Sequence, residues 1–416
     1  MTPGFERVCV IGLGYVGLPT AAILANRGFH VVGVDVKAET VSMVNEGRAH
    51  FTEPDLDVMV RGAVAAGRLR AAEAADHADV FLVTVPTPFT ADRKPDVSFL
   101  RSAAQSIAPV LDDGNLIVIE STSPVGTTQA FSEWLAEVRP DLSFPHRDGE
   151  GAQVRLAHSP ERVLPGRILV ELVQNDRVIG GLSARCARHA AAFYETFVNG
   201  ECLLTDARTA ELVKLVENSY RDANIAFANE ISMVCDRLGI DAWEVLRLAN
   251  RHPRVDILKP GPGVGGHCIA VDPWFIIDSA PDESVLIRAA RRVNDAMPMH
   301  VVAKVREAAK RFDSPRVACL GLSYKADIED ARESPALRIV ETLARDGIGE
   351  ILVVEPHAGG LPAPLDADPG VTKVDLDAAL EAAHVVVLLV DHRAFAGIDR
   401  ARLDGKAVID TRGLWR

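Results

Sequence analysis

The sequence predicts an α/β fold of two doubly wound halves joined by a long central helix. Three observations predict it. Short aliphatic runs alternate with helical stretches, the pattern of parallel sheets covered by helices. The run Arg7–Gly14 is echoed by Arg316–Ser323, and Val80–Val85 is echoed by Val385–Val390, a faint internal duplication. Between the echoes lies Thr209–Leu238, strongly helical and free of glycine and proline. That stretch reads as the spine between the halves and as a dimer surface.

Composition narrows the class. The 416 residues allow two or three domains with cores of their own. An apolar content of 48% excludes a disordered chain. A net charge of −13 argues against a nucleic-acid partner, because phosphate binding wants a basic face. The cysteines at 9, 186, 202, 235, 268 and 319 form no CxxC pair. They are expected as reduced thiols in a cytoplasmic protein, with no disulfide framework and no metal site. No basic run followed by an apolar segment opens the chain, so no secretory leader is expected. The aliphatic runs are too short to span a membrane.

The first half opens on strand Arg7–Ile11, then Gly12-Leu13-Gly14-Tyr15-Val16-Gly17 and an alanine-rich helix to about Arg27. Strand Val31–Val34 follows and ends in Asp35. Strand, GxGxxG, helix, strand, acid is the order of a dinucleotide-binding unit. Gly12 permits the tight turn, Gly14 lets the backbone approach a pyrophosphate, and Gly17 packs helix on strand. Asp35 is placed to accept from ribose hydroxyls and favours NAD over NADP, with Lys37 nearby as the residue that speaks for a 2′-phosphate. Strands Val80–Val85 and Leu116–Glu120 run into Pro86-Thr87-Pro88 and Ser121–Gly126. Ligands sit beyond the carboxyl ends of parallel strands, so Thr84 and Thr122 are candidates to face cofactor or substrate, or to cap the following helices. Pro140–Gly151 reads as a polar loop, and Ser159–Gly166 closes a further strand with the carboxylate of Glu161.

On the spine, Lys214, Asn218, Arg221 and Ile225 share one helical face. A helix over Asp282–Ala296 is expected next, with the second half beginning near Met299. There Ser323 replaces Gly14 of the echo and the later glycine is missing, so the second half is no standard dinucleotide site. It carries Lys325, Asp327, Arg332 and Glu333 at its mouth, and Arg412 closes its last strand. Lys325 and Arg412 suit a local basic pocket for a diphosphate.

Gly261-Pro262-Gly263-Val264-Gly265-Gly266-His267-Cys268-Ile269-Ala270-Val271-Asp272-Pro273 holds one thiol in a loop whose path is restricted by glycine and proline. A nicotinamide site with a constrained cysteine suggests covalent hydride chemistry. An alcohol becomes an aldehyde, the Cys268 thiolate adds to it, the thiohemiacetal becomes a thioester, and water releases an acid. Asp272 and Glu161 are candidate acids or water positioners, Lys214 a candidate oxyanion partner, and Asn218 a second donor.

These motifs resemble the UDP-glucose/GDP-mannose dehydrogenase family over essentially the whole chain. The resemblance rests on Gly12–Pro19, Val85–Pro88, Ser121–Val125, Ser159–Gly166, Glu211–Glu230, Gly261–Pro273, Gly321–Pro335 and the last strand. It implies two Rossmann-like domains around a helical dimerisation core: residues 1–196 for NAD, 197–300 for dimerisation and the cysteine loop, and 301–416 for the UDP-sugar. It implies Cys268 as nucleophile, with Lys214, Asn218 and Asp272 as partners, Glu161 assisting water or the thioester, and Thr122 at the water-holding threonine. The cofactor set is Gly12, Gly14, Tyr15, Val16, Gly17, Asp35, Thr84, Pro86, Thr87 and Thr122. The substrate set is Glu161, Arg162, Val163, Lys214, Asn218, Arg221, Gly265, Tyr324, Lys325 and Arg412, with Arg251 or Arg254 reaching across a homodimer so that both subunits complete each site. Two NAD and one water are consumed per UDP-sugar. UDP-glucose enzymes typically have serine before the cysteine and proline-lysine before the aspartate, whereas this chain has His267 and Ala270-Val271. With Asn250–Val255 and the Leu414-Trp415-Arg416 end, this resembles members acting on UDP-N-acetyl-D-mannosamine; UDP-N-acetylglucosamine 6-dehydrogenases share the His-Cys pair.

Overall fold

The computed structural model describes residues 4–90, 92–266 and 268–415. They fold as two compact units. The first holds the chain up to Glu217 together with Trp274–Ser279, and the second holds Asn218–Pro273 and the chain from Ala280 onward.

The first unit contains strands β1 (Arg7–Ile11), β2 (His30–Val34), β3 (Leu69–Ala72), β4 (Val80–Val83), β5 (Leu116–Ile119), β6 (Arg155–His158), β7 (Arg177–Gly181) and β8 (Cys202–Asp206). They form one sheet in the order β3-β2-β1-β4-β5-β6-β7-β8. Neighbours pair parallel except β6 with β7. Strands β4 and β5 are buried along their whole length, which explains their unbroken aliphatic sequences. Each face packs its own apolar layer: Val8, Val10, Leu82 and Val118 lie on one side, Cys9, Ile11, Phe81 and Ile119 on the other.

The second unit contains β9 (Arg316–Leu320), β10 (Glu350–Val354), β11 (Val371–Lys373), β12 (Val385–Leu388) and β13 (Ala407–Asp410), ordered β11-β10-β9-β12-β13 and all parallel. This order repeats the first five strands of the other sheet. The duplication extends to hydrogen bonds. Gly12 N–H donates to the Val34 carbonyl as Gly321 N–H does to Val354. Leu13 N–H donates to Asp35 as Leu322 N–H does to Glu355.

Two expectations need correction. The helix expected to stop at Ala296 spans Val285–Ala309 and passes through Pro298. Val301, Val302 and Val305 pack into the second sheet's core, and that burial outweighs a proline penalty of about 3 kcal/mol. The supposed loop Pro140–Gly151 contains a helical turn, Pro145–Asp148, and a 3₁₀ turn, Gly149–Gly151. Proline at the first helical position starts that turn without losing a hydrogen bond.

Candidate active site

The carboxyl edge of the first sheet gathers the residues expected to hold the cofactor. Gly12 adopts φ +97°. A Cβ on Gly17 would lie 1.8 Å from the Gly12 carbonyl oxygen, so only glycine lets the helix Gly17–Asn26 sit this close to β1. Open space faces Gly14, with nothing within 4 Å of an added Cβ. That helix has neither a side-chain cap nor an acidic residue in its first turn, so its amides suit a pyrophosphate. Asp35 accepts from Leu13 N–H at 3.1 Å and Lys37 N–H at 2.9 Å, and a carboxylate has further lone pairs for ribose hydroxyls. Val16 is the residue before the helix, and Tyr15 packs on Phe51 with ring centroids 4.4 Å apart. These features fit a dinucleotide.

The next strands extend the same edge. The Thr84 hydroxyl lies 3.0 Å from the Ile11 carbonyl and 2.7 Å from that of Gly12, so it supports the glycine turn from beneath. Pro86 is exposed, and the Thr87 hydroxyl donates to the Thr122 carbonyl, tying the β4 loop to the β5 loop. Glu211, at the start of the spine helix Ala207–Leu238, accepts from Gly126 N–H and from Thr128 N–H and hydroxyl. It thereby caps the helix Thr127–Val138 and fixes the Thr122 segment; burial pushes its carboxyl up against these bonds. Glu161 and Val163 follow β6 and are partly buried. Glu53 accepts from Gly166 and Ile168 N–H and fastens that segment. The Arg162 guanidinium pairs with Glu217 at 2.7 Å and donates to the Asp176 carbonyl, which sets its direction.

The cysteine loop belongs to the second unit. Gly261 N–H donates to Asn229 on the spine at 2.9 Å. Asn229 donates to Asn294, and Asn294 to Asp222. The Arg291 guanidinium pairs with Asp222 at 2.6 Å. This buried network secures the loop's entry. Further along, a Cβ on Gly265 would meet the Glu333 carbonyl oxygen at 2.5 Å and Pro335 Cδ at 2.6 Å. Tyr324 lies against Gly265 and Gly266, and the Arg412 guanidinium lies against Gly261. Of the expected substrate residues, Tyr324 thus lies on Gly265 and Arg412 on Gly261.

Cys268 is exposed. Its carbonyl accepts from Val271 N–H and Asp272 N–H, so the thiol sits on the turn that opens the helix Asp272–Ser279. Asp272 is buried and accepts from the Asn218 amide at 2.5 Å. Lys214 lies one turn before Asn218 on the same helix, half-buried and without an ion pair among the described residues. At the second sheet's edge, Lys325 is half-buried and likewise unpaired among the described residues, whereas Arg412 pairs with Asp391 at 2.9 Å. Arg221, Arg251 and Arg254 are exposed. His267 and Arg416 lie outside the described residues.

The dinucleotide-type acid of the second half is spent. Glu355 accepts from Leu322, Ser323 and His357 N–H and pairs with buried His392 at 3.4 Å. Burial alone would raise its carboxyl; His392 and the amides outweigh that and hold it at about 2. Asp327, His357 and His392 have spacing a metal could use, but His392 Nδ1 already accepts Asp327 N–H at 2.9 Å.

Models of the UDP-glucose/GDP-mannose dehydrogenase family match three successive stretches: the NAD-binding domain over residues 6–198, the central domain over 208–296 and the UDP-binding domain over 318–416. The chain belongs to that family. This nucleotide-sugar dehydrogenase is 56% identical to an NDP-N-acetyl-D-galactosaminuronic acid dehydrogenase of Ralstonia nicotianae, over 99% of this chain and 96% of that one. It is 53% identical to the UDP-N-acetyl-D-mannosamine dehydrogenase of Yersinia pestis, over 99% of this chain and all of that one. Among solved structures, the UDP-D-ManNAc dehydrogenase of Pyrococcus horikoshii superimposes with a TM-score of 0.88 at 37% identity, covering 99% and 96% of the two chains. The dehydrogenase uses NAD, and it is an oxidoreductase of the family's UDP-sugar type. Among the described residues no helix is long and apolar enough to cross a membrane.

Proposed function

We propose that this dehydrogenase oxidises the C6 hydroxyl of UDP-N-acetyl-D-mannosamine to the carboxylate, for cell-surface polysaccharide synthesis in the cytoplasm. The observation that carries the reading is the Asn218–Asp272 bond beside the Cys268 turn, with Lys214 one helical turn away. NAD, when bound, accepts the hydride in each of two oxidations. The protein's side chains supply the rest. Lys214 and Asn218 donate to the oxygen that gains charge, Asp272 handles the proton, and Cys268 holds the C6 carbon as thiohemiacetal and then thioester. Glu161 and Thr122 position the water that releases the acid and returns the thiol. Lys325, Tyr324 and Arg412 support binding of the UDP moiety; Arg412 can also rotate from Asp391 toward a phosphate.

The substrate reading rests on the relatives. Relatives named for N-acetylated hexosamine sugars stand at 51–56% identity, and among solved structures two UDP-N-acetylmannosamine dehydrogenases stand at 37–38% beside a UDP-glucose dehydrogenase at 29%. The Ralstonia relative favours the galacto configuration as the second reading. A panel of UDP-N-acetylmannosamine, UDP-N-acetylgalactosamine, UDP-N-acetylglucosamine and UDP-glucose decides between them: highest kcat/KM on the first is expected, and preference for any other overturns the assignment.

A homodimer belongs to the same proposal. Leu212, Val216, Tyr220, Phe227 and Val234 are exposed at steps of four and seven, one apolar stripe along the spine. In that dimer, exposed Arg251 or Arg254 is the residue proposed to reach the partner's substrate.

A further inference from the structure

Behind Glu161 lies a buried charge cluster that no expectation from sequence included. Arg177, at the start of β7, is 5% exposed, and Glu120, at the end of β5, is 2% exposed. The guanidinium reaches Glu120 Oε1 at 3.3 Å with one nitrogen and Glu161 Oε2 at 3.4 Å with the other. The Tyr194 hydroxyl donates to Glu120 at 2.6 Å, and the guanidinium carbon sits 4.7 Å from the Tyr194 ring centroid. One cation is therefore shared by two carboxylates, and only Glu161 lies on the segment read here as catalytic. Packing alone does not call for this cluster, since apolar residues of similar volume commonly stabilise a core as well as a buried ion triad does.

We propose that Arg177 is a positioning residue that orients the Glu161 carboxylate, and that Glu120 holds the guanidinium in place for it. The inference rests on the reading of Glu161 as the group that acts on water. In that step Glu161 takes a proton from water as its oxygen bonds to the acyl carbon; the C–S bond breaks and the Cys268 thiolate leaves. The carboxylate must face that water for the transfer, so its orientation sets the rate of thioester decay. The groups facing the cluster are few. Arg177, Glu120 and Tyr194 surround it. The Ser159 hydroxyl lies near Tyr194. The Cys202 thiol lies near Arg177 and is pushed up by burial. The Arg162 guanidinium points to Glu217. Burial pulls Arg177 down, but the two carboxylates outweigh it and leave it above its ordinary value. Burial raises Glu120, with Arg177 opposing.

The test is the rate of thioester decay after a single turnover, measured with the panel sugar that turns over. Glu120→Gln keeps an acceptor for Tyr194 and for Arg177, which stays bound to Glu161, so decay continues at close to the parent rate. Arg177→Met slows decay by roughly tenfold or more and lets the acyl-enzyme accumulate, while Arg177→Lys restores most of the decay rate. Should Arg177→Met not fold, Glu120→Gln and Arg177→Lys still decide the matter. Decay at the parent rate in Arg177→Met, or its loss in Glu120→Gln or Arg177→Lys, overturns the proposal. Thioester decay in Glu161→Gln at the parent rate would instead overturn the role given to Glu161, and the inference with it.

Discussion

Serine at position 268 keeps the shape of the side chain but loses the thiolate. Cys268→Ser is expected to retain NAD affinity while uronate formation falls by roughly three orders of magnitude or more, measured by product analysis beside cofactor titration. Lys214→Ala removes a cation from the developing oxyanion, so kcat is expected to fall roughly 100- to 1000-fold. His158 gives a pH dependence of stability. It is fully buried at the end of β6, and neither ring nitrogen has a hydrogen-bond partner among the described residues. Burial lowers its value to about 3. Below about pH 6.5 the unfolded chain takes up a proton that the folded chain refuses, so stability is full above that pH and falls by about 1.4 kcal/mol per unit toward pH 3. In His158→Leu this slope is expected to disappear, read as a shallower loss of urea midpoint between pH 7 and 4. His158 was invisible as a special residue in the sequence, because one polar residue ending a short buried strand leaves no mark in its neighbours.

The glycine turn, the acid after β2 and the spine were legible because each is a local pattern with a fixed spacing. Arg177 and Glu120 were not, although Glu120 ends an aliphatic run just as Asp35 does; what distinguishes them is a partner on a distant strand. Asn229 was also missed, since its use appears only when the cysteine loop returns to the spine. Asn229→Ala leaves the buried Gly261 N–H without an acceptor, at a cost of roughly 1–3 kcal/mol. The variant is expected to melt earlier and turn over more slowly at unchanged NAD affinity. Gly265→Ala tests the other end of the loop. The added Cβ must displace Glu333 or Pro335, so turnover is expected to collapse while NAD binding survives in titration. Helix Val285–Ala309 outran its expected end because packing against the second sheet, a tertiary term, decided it.

For the whole molecule, the echo of β1 in β9 proved to be a repeated strand order with a repeated acid, and the second acid had changed use. That change leaves NAD to the first half and the UDP moiety to the second, as the matched domains describe. An apolar stripe on the spine asks for a partner copy, so Tyr220→Asp with Phe227→Asp is expected to yield monomers in sedimentation, with activity lost as well if an arginine crosses the interface. The central claim is that one site carries the sugar through both oxidations without releasing it. Counting NADH against uronate in a complete conversion of UDP-N-acetyl-D-mannosamine tests it most directly. Two NADH per uronate are expected, with no aldehyde trapped by an added amine; one NADH per sugar, with free aldehyde, would contradict a single site for both oxidations.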